Sequence, residues 1–209
     1  MPSAPVASSV ADLKQLRRQL RQQRRATSVR QQRTAGKAVL QHVQQHALLV
    51  AQQKIGIYLN AFGEVDTAPL INWCFKQHKQ VYLPKVRHFD QKLLWLRVSR
   101  RQWQNYRFHR HSLGMQQPHH QRGIAVRQLD VLIMPLLGFD KTGTRLGMGG
   151  GFYDRTLAGG GLHPFRLGIA YDFQQVCHLP RNPWDQALDA VATPARLYHF
   201  KGNRHFFVF

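Results

Sequence analysis

The sequence predicts one α/β domain with a mostly parallel central sheet, flanked by helices in three layers. Short apolar runs rich in β-branched residues alternate with segments of helical periodicity, which is typical of parallel strands joined by helices. The length of 209 residues suits one domain, and a hydrophobic content of 43% permits a buried core. We expect a flexible tail over residues 1–9, which are small and rich in Pro and Ser, and a single domain over residues 10–209.

Two helices open the predicted domain. Between Val10 and Leu20 the apolar residues repeat at helical spacing while arginines fill the other face, so the first helix is amphipathic and basic. A second helix is predicted from Ala35 to Val43, where apolar residues keep the same spacing. A strand follows at 55–59, and then a helix at 69–75, because Pro69 suits a first helical turn.

Further strands are predicted at 81–84, 92–98, 131–139, 166–171 and 190–193. The segment 99–123 is rich in Arg, His, Gln and Pro without a clear period, and is predicted to be an irregular surface segment. A short helix is expected after a glycine loop and should end at the three glycines 159–161. In such a Rossmann-like sheet, ligands bind beyond the carboxyl ends of strands, so the loop 60–66 and the glycine loop should face one site.

The glycine loop places four glycines within five positions, from Gly147 to Gly151, directly before an aromatic pair and Asp154. Glycine lets the backbone turn sharply and bring its N–H groups close to another group. A loop of this kind in isolation more often makes a tight turn within the chain. Here a buried strand precedes it and a helix follows it, which is the context of phosphate-binding loops.

The loop matches neither a Walker A motif nor a dinucleotide fingerprint, because the required spacing and partner residues are absent. Arg145 can supply the cation that a Walker lysine would bring, and Asp154 can hold a magnesium ion on the same phosphates. The alternatives are a solvated turn residue for Arg145, and a helix N-cap or first-turn acid for Asp154.

The chain is strongly basic, with 30 Lys and Arg against 10 Asp and Glu and a formal net charge of +20 at pH 7. This charge indicates an anionic partner; nucleic acid, an acidic membrane surface and charged small substrates all fit. The cysteines Cys74 and Cys177 form no Cys-x-x-Cys motif, which fits a reducing compartment. No run of about 18 apolar residues is present, so no membrane span is expected.

Several segments together resemble the 5-formyltetrahydrofolate cyclo-ligase family, also called 5,10-methenyltetrahydrofolate synthetase. They are KQLRRQLRQQRR, LNAFGEVDT, VYLP, LDVLIMPLLGFDKTGTRLGMGGGFYDRTLA and WDQALDAVATP. The resemblance spans almost the whole chain and is most specific over residues 129–158. It implies that the predicted domain is a cyclo-ligase domain located in the cytoplasm. A mitochondrial location is the alternative, because residues 11–33 are Arg-rich and nearly free of acids, as in a transit peptide.

The resemblance implies an enzyme that closes the ring of 5-formyltetrahydrofolate, yielding 5,10-methenyltetrahydrofolate, ADP and phosphate from ATP in the presence of Mg²⁺. The formamide oxygen is a poor leaving group, so ATP phosphorylates it, N10 attacks the activated carbon, and phosphate departs. Phosphoryl transfer depends mainly on positioning and charge neutralisation. Cations, backbone N–H groups and Mg²⁺ meet that need without a protein nucleophile.

The resemblance also implies which residues contact ATP and the metal. The ATP-binding residues are Lys14, Arg17, Arg18, Arg145, Gly147, Met148, Gly149, Gly150, Gly151, Phe152 and Tyr153. Asp154 and Asp189 are the implied magnesium ligands, and Arg145 and Asp154 the implied catalytic residues. The alternative for the helix cations is a solvated surface, and for Asp189 a solvated acid beside a strand.

The implied folate-binding residues are Tyr58, Leu59 and Glu64. A carboxylate at Glu64 can accept hydrogen bonds from the N–H edge of a pterin ring, and Tyr58 and Leu59 can form an apolar wall beside it. Without the resemblance, Glu64 would be interpreted as an acid at a helix entry. The basic surface also suggests that the folate can carry a polyglutamate tail.

A basic nucleic-acid-binding module is the alternative function. The Arg-rich helix would then track phosphates, and WQNYRFHR in the segment 99–123 would stack on bases. The glycine loop followed by Asp154 favours the enzyme, because a simple binding module has no need of it. We therefore expect nucleic-acid binding to be at most weak and electrostatic.

Overall fold

The computed structural model describes residues 10–87, 89–112, 114–119, 122–158 and 164–200. Four predictions fall wholly or partly outside these residues. They are the tail over residues 1–9, part of the irregular segment 99–123, the glycines 159–161 expected to end a helix, and the domain's extension over residues 201–209.

The elements follow the predicted alternation of helices and strands. The helices are α1 (Val10–Arg25), α2 (Val29–Gln44), α3 (Ala47–Ala51), α4 (Ala68–Lys76), α5 (Arg100–Gln104) and α6 (Phe152–Leu157). The strands are β1 (Lys54–Gly56), β2 (Gln80–Val86), β3 (Leu93–Val98), β4 (Phe108–Arg110), β5 (Gln116–Pro118), β6 (Val131–Pro135), β7 (Gly138–Phe139), β8 (Arg145–Leu146), β9 (Phe165–Ile169), β10 (Ala190–Ala192) and β11 (Leu197–His199). Short 3₁₀ helices lie at Val126–Gln128 and Asp172–Gln174.

A seven-stranded sheet in the order β11-β10-β9-β6-β1-β2-β3 forms the centre of the described chain. The neighbours from β10 to β2 pair in parallel, whereas the edge strands β11 and β3 run antiparallel to their neighbours. The predicted α/β fold with a mostly parallel sheet is therefore confirmed.

Both faces of the sheet are buried, as the continuous apolar runs of the central strands predict. On one face, Val39 of α2 and Ile71 of α4 pack with Ile133 of β6 in the larger core. On the other face, Leu157 of α6 packs with Leu132 of β6. The arrangement has three layers, and the second face is covered by a short helix together with loops.

The strand predicted at 131–139 ends early, at Pro135. The next two residues leave the sheet because the side chain of Gln174 donates to the carbonyls of Leu136 and Leu137, both at 2.9 Å. The chain then forms the β7–β8 hairpin, which leads directly into the glycine loop.

The prediction that the segment 99–123 is wholly irregular is wrong in part, since α5 and the β4–β5 hairpin lie within it. Helix α5 begins at a capping box, in which Ser99 and Gln102 bond each other's backbone N–H groups. This Ser-x-x-Gln signal is visible in the sequence. The elements α3 and β11 were not predicted because each is too short for a periodic pattern.

The order in which strands are added to the sheet reverses between the parallel neighbours β1 and β6. From β1 the chain continues to β2 on one side, whereas β6 leads to β9 and β10 on the other side. A crevice is expected at such a switch point, beyond the carboxyl ends of the two strands. The loop after β1 and the glycine loop both open there.

Candidate active site

A cleft of about 1230 Å³ lies at the switch point between β1 and β6. Helix α1, the loop after β1, the glycine loop with α6, and the segment 179–185 contribute to its walls. The predicted site residues that line it are Arg17, Tyr58, Leu59, Glu64, Arg145, Gly147, Met148, Gly149, Gly150, Gly151, Phe152, Tyr153 and Asp154. The structure thus brings together the two loops that the sequence predicts to share a site.

The glycine loop needs glycine for its backbone conformation. Gly149 has φ of 101° and Gly151 has φ of 63°, in the left-handed region that other residues adopt only with strain. At Gly151 a Cβ would also lie 2.7 Å from Arg155 Nη1, whereas at Gly149 it would meet none of the described atoms within 4 Å. The loop therefore presents open backbone to the cleft at Gly149, which favours contact with a ligand over a contact within the chain.

Arg145 and Asp154 form an ion pair on the cleft wall. Arg145 Nη2 donates to the two carboxylate oxygens of Asp154 at 2.9 and 3.0 Å. The side chain of Arg145 is 6% exposed and that of Asp154 is 26% exposed, so Arg145 is not a solvated turn residue. Gly151 occupies the N-cap position of α6, so Asp154 is not the N-cap; it lies in the first turn of that helix, where the first-turn alternative places it.

The guanidinium of Arg145 keeps donor capacity beyond this ion pair. Its Nε is buried and has no hydrogen-bond partner within the part of the chain that the structure describes. A buried charged donor without an acceptor is costly. An anionic oxygen that reached this atom would satisfy it, and carboxylate and phosphate are anions that arginine binds with several donors.

The first helix offers a different set of cations from the one predicted. Arg17 lines the cleft, and its Nε donates to the carbonyl of Gly147 at 3.3 Å. Lys14 and Arg18 are exposed and do not line the cleft, so the solvated-surface alternative describes their placement better. Arg21 and Arg25 line the cleft instead. Arg21 and Arg25 lie four and eight residues after Arg17, a spacing that places the three arginines on one helical face.

Asp189 lies away from the cleft lining. It is mostly buried just before β10, and its Oδ2 accepts a hydrogen bond from the backbone N–H of Arg166 at 2.7 Å. This contact joins β10 to β9. The placement therefore supports a structural role for Asp189 rather than the predicted role as a metal ligand.

The acids that line the cleft are Glu64, Asp154 and Asp185. Among the described residues, no group of three or more His, Cys, Asp and Glu side chains could hold a metal ion. Mg²⁺ on ATP does not require such a group, because it commonly binds one or two carboxylates, substrate phosphates and water. The carboxylate oxygens of Asp154 fit that kind of metal site.

Glu64 lies in the loop after β1, on the cleft wall. Its Oε2 accepts from the backbone N–H of Ala61 at 2.9 Å, and its Oε1 lies 3.2 Å from Arg24 Nη1. Burial raises the pKa of Glu64, while Arg24 and the Ala61 N–H oppose that rise. The acid at the entry of α4 is Asp66, whose carboxylate accepts from the N–H of Ala68 at 2.9 Å. Glu64 is therefore not a helix-entry acid.

The buried Tyr58 and the half-buried Tyr153 flank the same region. Burial raises the pKa of Tyr58 and of Tyr153 well above the ordinary tyrosine value, and the charge of Glu64 adds to both shifts. Both hydroxyl groups are therefore neutral at physiological pH. They can form an uncharged wall beside Glu64 and still offer hydrogen bonds.

The aromatic residues of WQNYRFHR are mostly used in packing. Trp103 and Phe108 pack against the larger core, and Trp103 Nε1 donates to Asn72 Oδ1 at 2.7 Å. Tyr106 is exposed. This segment therefore offers few free rings to nucleic-acid bases.

Comparison with known proteins identifies the family. The model of the 5-formyltetrahydrofolate cyclo-ligase family matches residues 9–194. The chain is 36% identical over 186 residues to the 5-formyltetrahydrofolate cyclo-ligase of Escherichia coli (strain K12), with 87% of this chain and 100% of the relative covered. It is 39% identical over 183 residues to the Haemophilus influenzae protein of the same name, with 81% and 95% covered.

A solved structure supports the same assignment. The 5,10-methenyltetrahydrofolate synthetase of Aquifex aeolicus matches with a TM-score of 0.76 and 26% identity, covering 94% of this chain and 96% of the other. No helix within the described residues is long and apolar enough to span a membrane. From the family match, the two relatives and the shared fold, we conclude that this chain belongs to the 5-formyltetrahydrofolate cyclo-ligase family, whose members are ATP-dependent ligases.

Proposed function

We propose that the cleft closes 5-formyltetrahydrofolate to 5,10-methenyltetrahydrofolate with ATP and Mg²⁺, releasing ADP and phosphate. The observation that carries this proposal is the meeting of Glu64 with the Arg145–Asp154 pair in one cleft. Pockets for a single drug-sized ligand measure about 300–1,000 Å³. At about 1230 Å³ the cleft is large enough for more than one such ligand, as a reaction between a folate and ATP requires.

The glycine loop and Arg145 are the proposed ATP-phosphate site. The open backbone at Gly149 and the unpartnered Nε of Arg145 both favour an anionic ligand at this wall. Arg17, Arg21 and Arg25 of α1 also line the cleft and add positive charge to it. Gly147, Met148, Gly150, Gly151, Phe152 and Tyr153 complete the proposed contacts.

Asp154 is the residue that would hold Mg²⁺ in this proposal, with the phosphates supplying further oxygens. The ion, when bound, neutralises charge that develops on the transferred phosphoryl group. Arg145 and Asp154 would then each keep an opposite charge nearby, because phosphate approaches the guanidinium and the cation approaches the carboxylate. The existing ion pair holds both side chains on the cleft wall before the ligands arrive.

Glu64, Tyr58 and Leu59 are the proposed folate contacts. The carboxylate of Glu64 is fixed by Ala61 and Arg24, and can accept hydrogen bonds from the N–H edge of a pterin ring. A folate held in this way would present its formyl oxygen to the phosphates of ATP bound at the glycine loop. Phosphorylation of that oxygen turns it into a good leaving group, and attack by N10 then expels phosphate.

Thermal unfolding with separate ligands distinguishes this function from nucleic-acid binding. A ligand at 100 times its Kd stabilises a folded protein by about 2.7 kcal/mol. We expect Mg-ATP and 5-formyltetrahydrofolate each to raise Tm at 0.15 M salt, and an RNA oligonucleotide to have little effect. A Tm that rises with the oligonucleotide and stays unchanged with both small ligands would favour the nucleic-acid-binding alternative.

The arginines of α1 that line the cleft predict a preference for polyglutamylated substrates. KM for 5-formyltetrahydrofolate should fall as glutamates are added. This decrease in KM should become smaller with salt, because exposed charges are screened over about 10 Å at 0.1 M. Steady-state assays at low and high salt measure this. Arg25→Gln should make the decrease smaller, whereas Arg30→Gln, which changes an exposed arginine outside the cleft lining, should not. A KM independent of tail length at low salt would contradict the prediction.

A cytoplasmic location remains our proposal, and the structure offers one argument for it. Leu16 and Leu20 of α1 are buried, and Arg17 lines the cleft. Cleavage of residues 11–33 as a transit peptide would remove this helix from the site. Imaging of the tagged chain tests the proposal, and an organellar signal would support the mitochondrial alternative.

A further inference from the structure

We propose that Arg24 is a positioning residue, which holds the Glu64 carboxylate and its loop in the geometry that receives the folate. This inference rests on the proposed function. Arg24 was not among the predicted site residues, because the sequence places it in a run of similar arginines on α1. Unlike the cations beside it, Arg24 is 1% exposed.

The guanidinium of Arg24 connects three parts of the cleft. Its Nη1 donates to Glu64 Oε1 at 3.2 Å and to the carbonyl of Leu136, just after β6, at 3.3 Å. Its Nε donates to the carbonyl of Phe62 at 3.2 Å. Its Nη2 lies 3.6 Å from the sulfur of Met148 in the glycine loop. The side chain of Arg24 thus connects the loop after β1, which carries Glu64, to the end of β6 and to the glycine loop.

The loop itself would not hold this geometry easily. Phe62 has φ of 52°, a left-handed conformation that is strained for a residue with a side chain. At Gly63, with φ of 78°, a Cβ would lie 2.2 Å from the backbone oxygen of Arg24. The loop therefore packs directly on α1 in a strained form, and the bond from Arg24 to the Phe62 carbonyl helps to keep it there.

Arg24 is also the positive charge that faces Glu64. Among the described residues, Tyr58 after β1, Tyr153 on α6 and Tyr171 after β9 also interact with Glu64, and all three are neutral at physiological pH. Burial favours the protonated form of Glu64, and Arg24 opposes it. Loss of Arg24 should therefore raise the pKa of Glu64, so that a higher pH is needed to ionise the carboxylate that accepts hydrogen bonds from the folate.

A double-mutant cycle tests this inference. The variants are Arg24→Met, Arg24→Lys, Glu64→Gln and the combination of Arg24→Met with Glu64→Gln, with Arg33→Met as the control at an exposed arginine of α2. Each is assayed for KM of both substrates and for the pH dependence of kcat/KM for the folate. Tm is recorded for each variant to separate folding from catalysis.

Arg24→Met should raise KM for the folate about tenfold or more, as expected when a charged group loses its partner, with a much smaller change in KM for ATP. The acid limb of the pH profile of kcat/KM for the folate should move to higher pH in this variant, since the pKa of Glu64 in the folded protein rises. In the Glu64→Gln background the same substitution should have a much smaller further effect. If the effects of Arg24→Met and Glu64→Gln on KM for the folate simply multiply in the double variant, and the acid limb does not move, Arg24 serves only the fold.

Arg24→Lys keeps the test decisive if Arg24→Met does not fold. Lysine retains the charge but not the forked donors. We expect an acid limb near that of the parent chain and a raised KM for the folate, and an unchanged KM would overturn the inference. A parent chain that forms no methenyl product would instead contradict the proposed function, so the two failures are distinguishable.

Discussion

Replacement of Asp154 by Asn is expected to lower kcat by roughly 100-fold while the chain stays folded. The loss follows because an amide is a poor ligand for a hard dication on phosphates, and removal of one transition-state charge contact typically costs two to three orders of magnitude. Stability should fall by only about 1–2 kcal/mol, since Asn can still accept from Arg145 and Gln186. Steady-state kinetics at increasing Mg²⁺ measure the effect, and high Mg²⁺ or Mn²⁺ should restore part of the rate.

Asp189→Asn is the matched comparison for this prediction. It changes an acid that joins β9 and β10, so it should reduce Tm without altering the Mg²⁺ dependence. Full activity of Asp154→Asn at ordinary Mg²⁺, with an altered metal requirement in Asp189→Asn, would transfer the metal role to Asp189.

Arg145→Ala is expected to raise KM for ATP and to lower kcat. A charge-assisted contact to phosphate in a partly buried site contributes about 1.5–3 kcal/mol, which corresponds to roughly 10- to 150-fold in kcat/KM. The variant also leaves the carboxylate of Asp154 without its arginine, so a modest loss of Tm should accompany the kinetic effect. Initial rates over a range of ATP concentrations measure the change.

Arg181→Ala provides the control for Arg145→Ala. Arg181 bonds Thr142 and Thr144 in the turn before the glycine loop, but it does not line the cleft. We expect its ATP kinetics to match those of the parent chain. Equal damage in both variants would indicate a general disturbance of the loop rather than loss of a phosphate contact.

The fold could be predicted largely because strands such as β6 are short continuous apolar runs, and because segments of helical spacing lie before β1 and between β1 and β2. The early end of β6 could not, since it depends on the side chain of Gln174, which is distant in sequence and donates to the carbonyls after Pro135. The short elements α3 and β11 carry too few residues to show a period.

The candidate site shows the same division between local and distant signals. The glycine loop and Glu64 lie in continuous motifs, and the structure places both in the cleft. Which arginines of α1 line the cleft depends on which face of the helix meets the loops. Only the tertiary structure shows which face this is. Arg24 is the clearest case, because its contacts with Glu64 and Leu136 distinguish it from the exposed Arg25 beside it.

The most direct test of the central claim is formation of the methenyl product by the purified chain. We predict that absorbance of 5,10-methenyltetrahydrofolate rises when 5-formyltetrahydrofolate, ATP and Mg²⁺ are present together, with one ADP released per product. Omission of ATP or of the metal should abolish the signal. A folded chain that binds both substrates but forms neither methenyl product nor ADP would contradict the account.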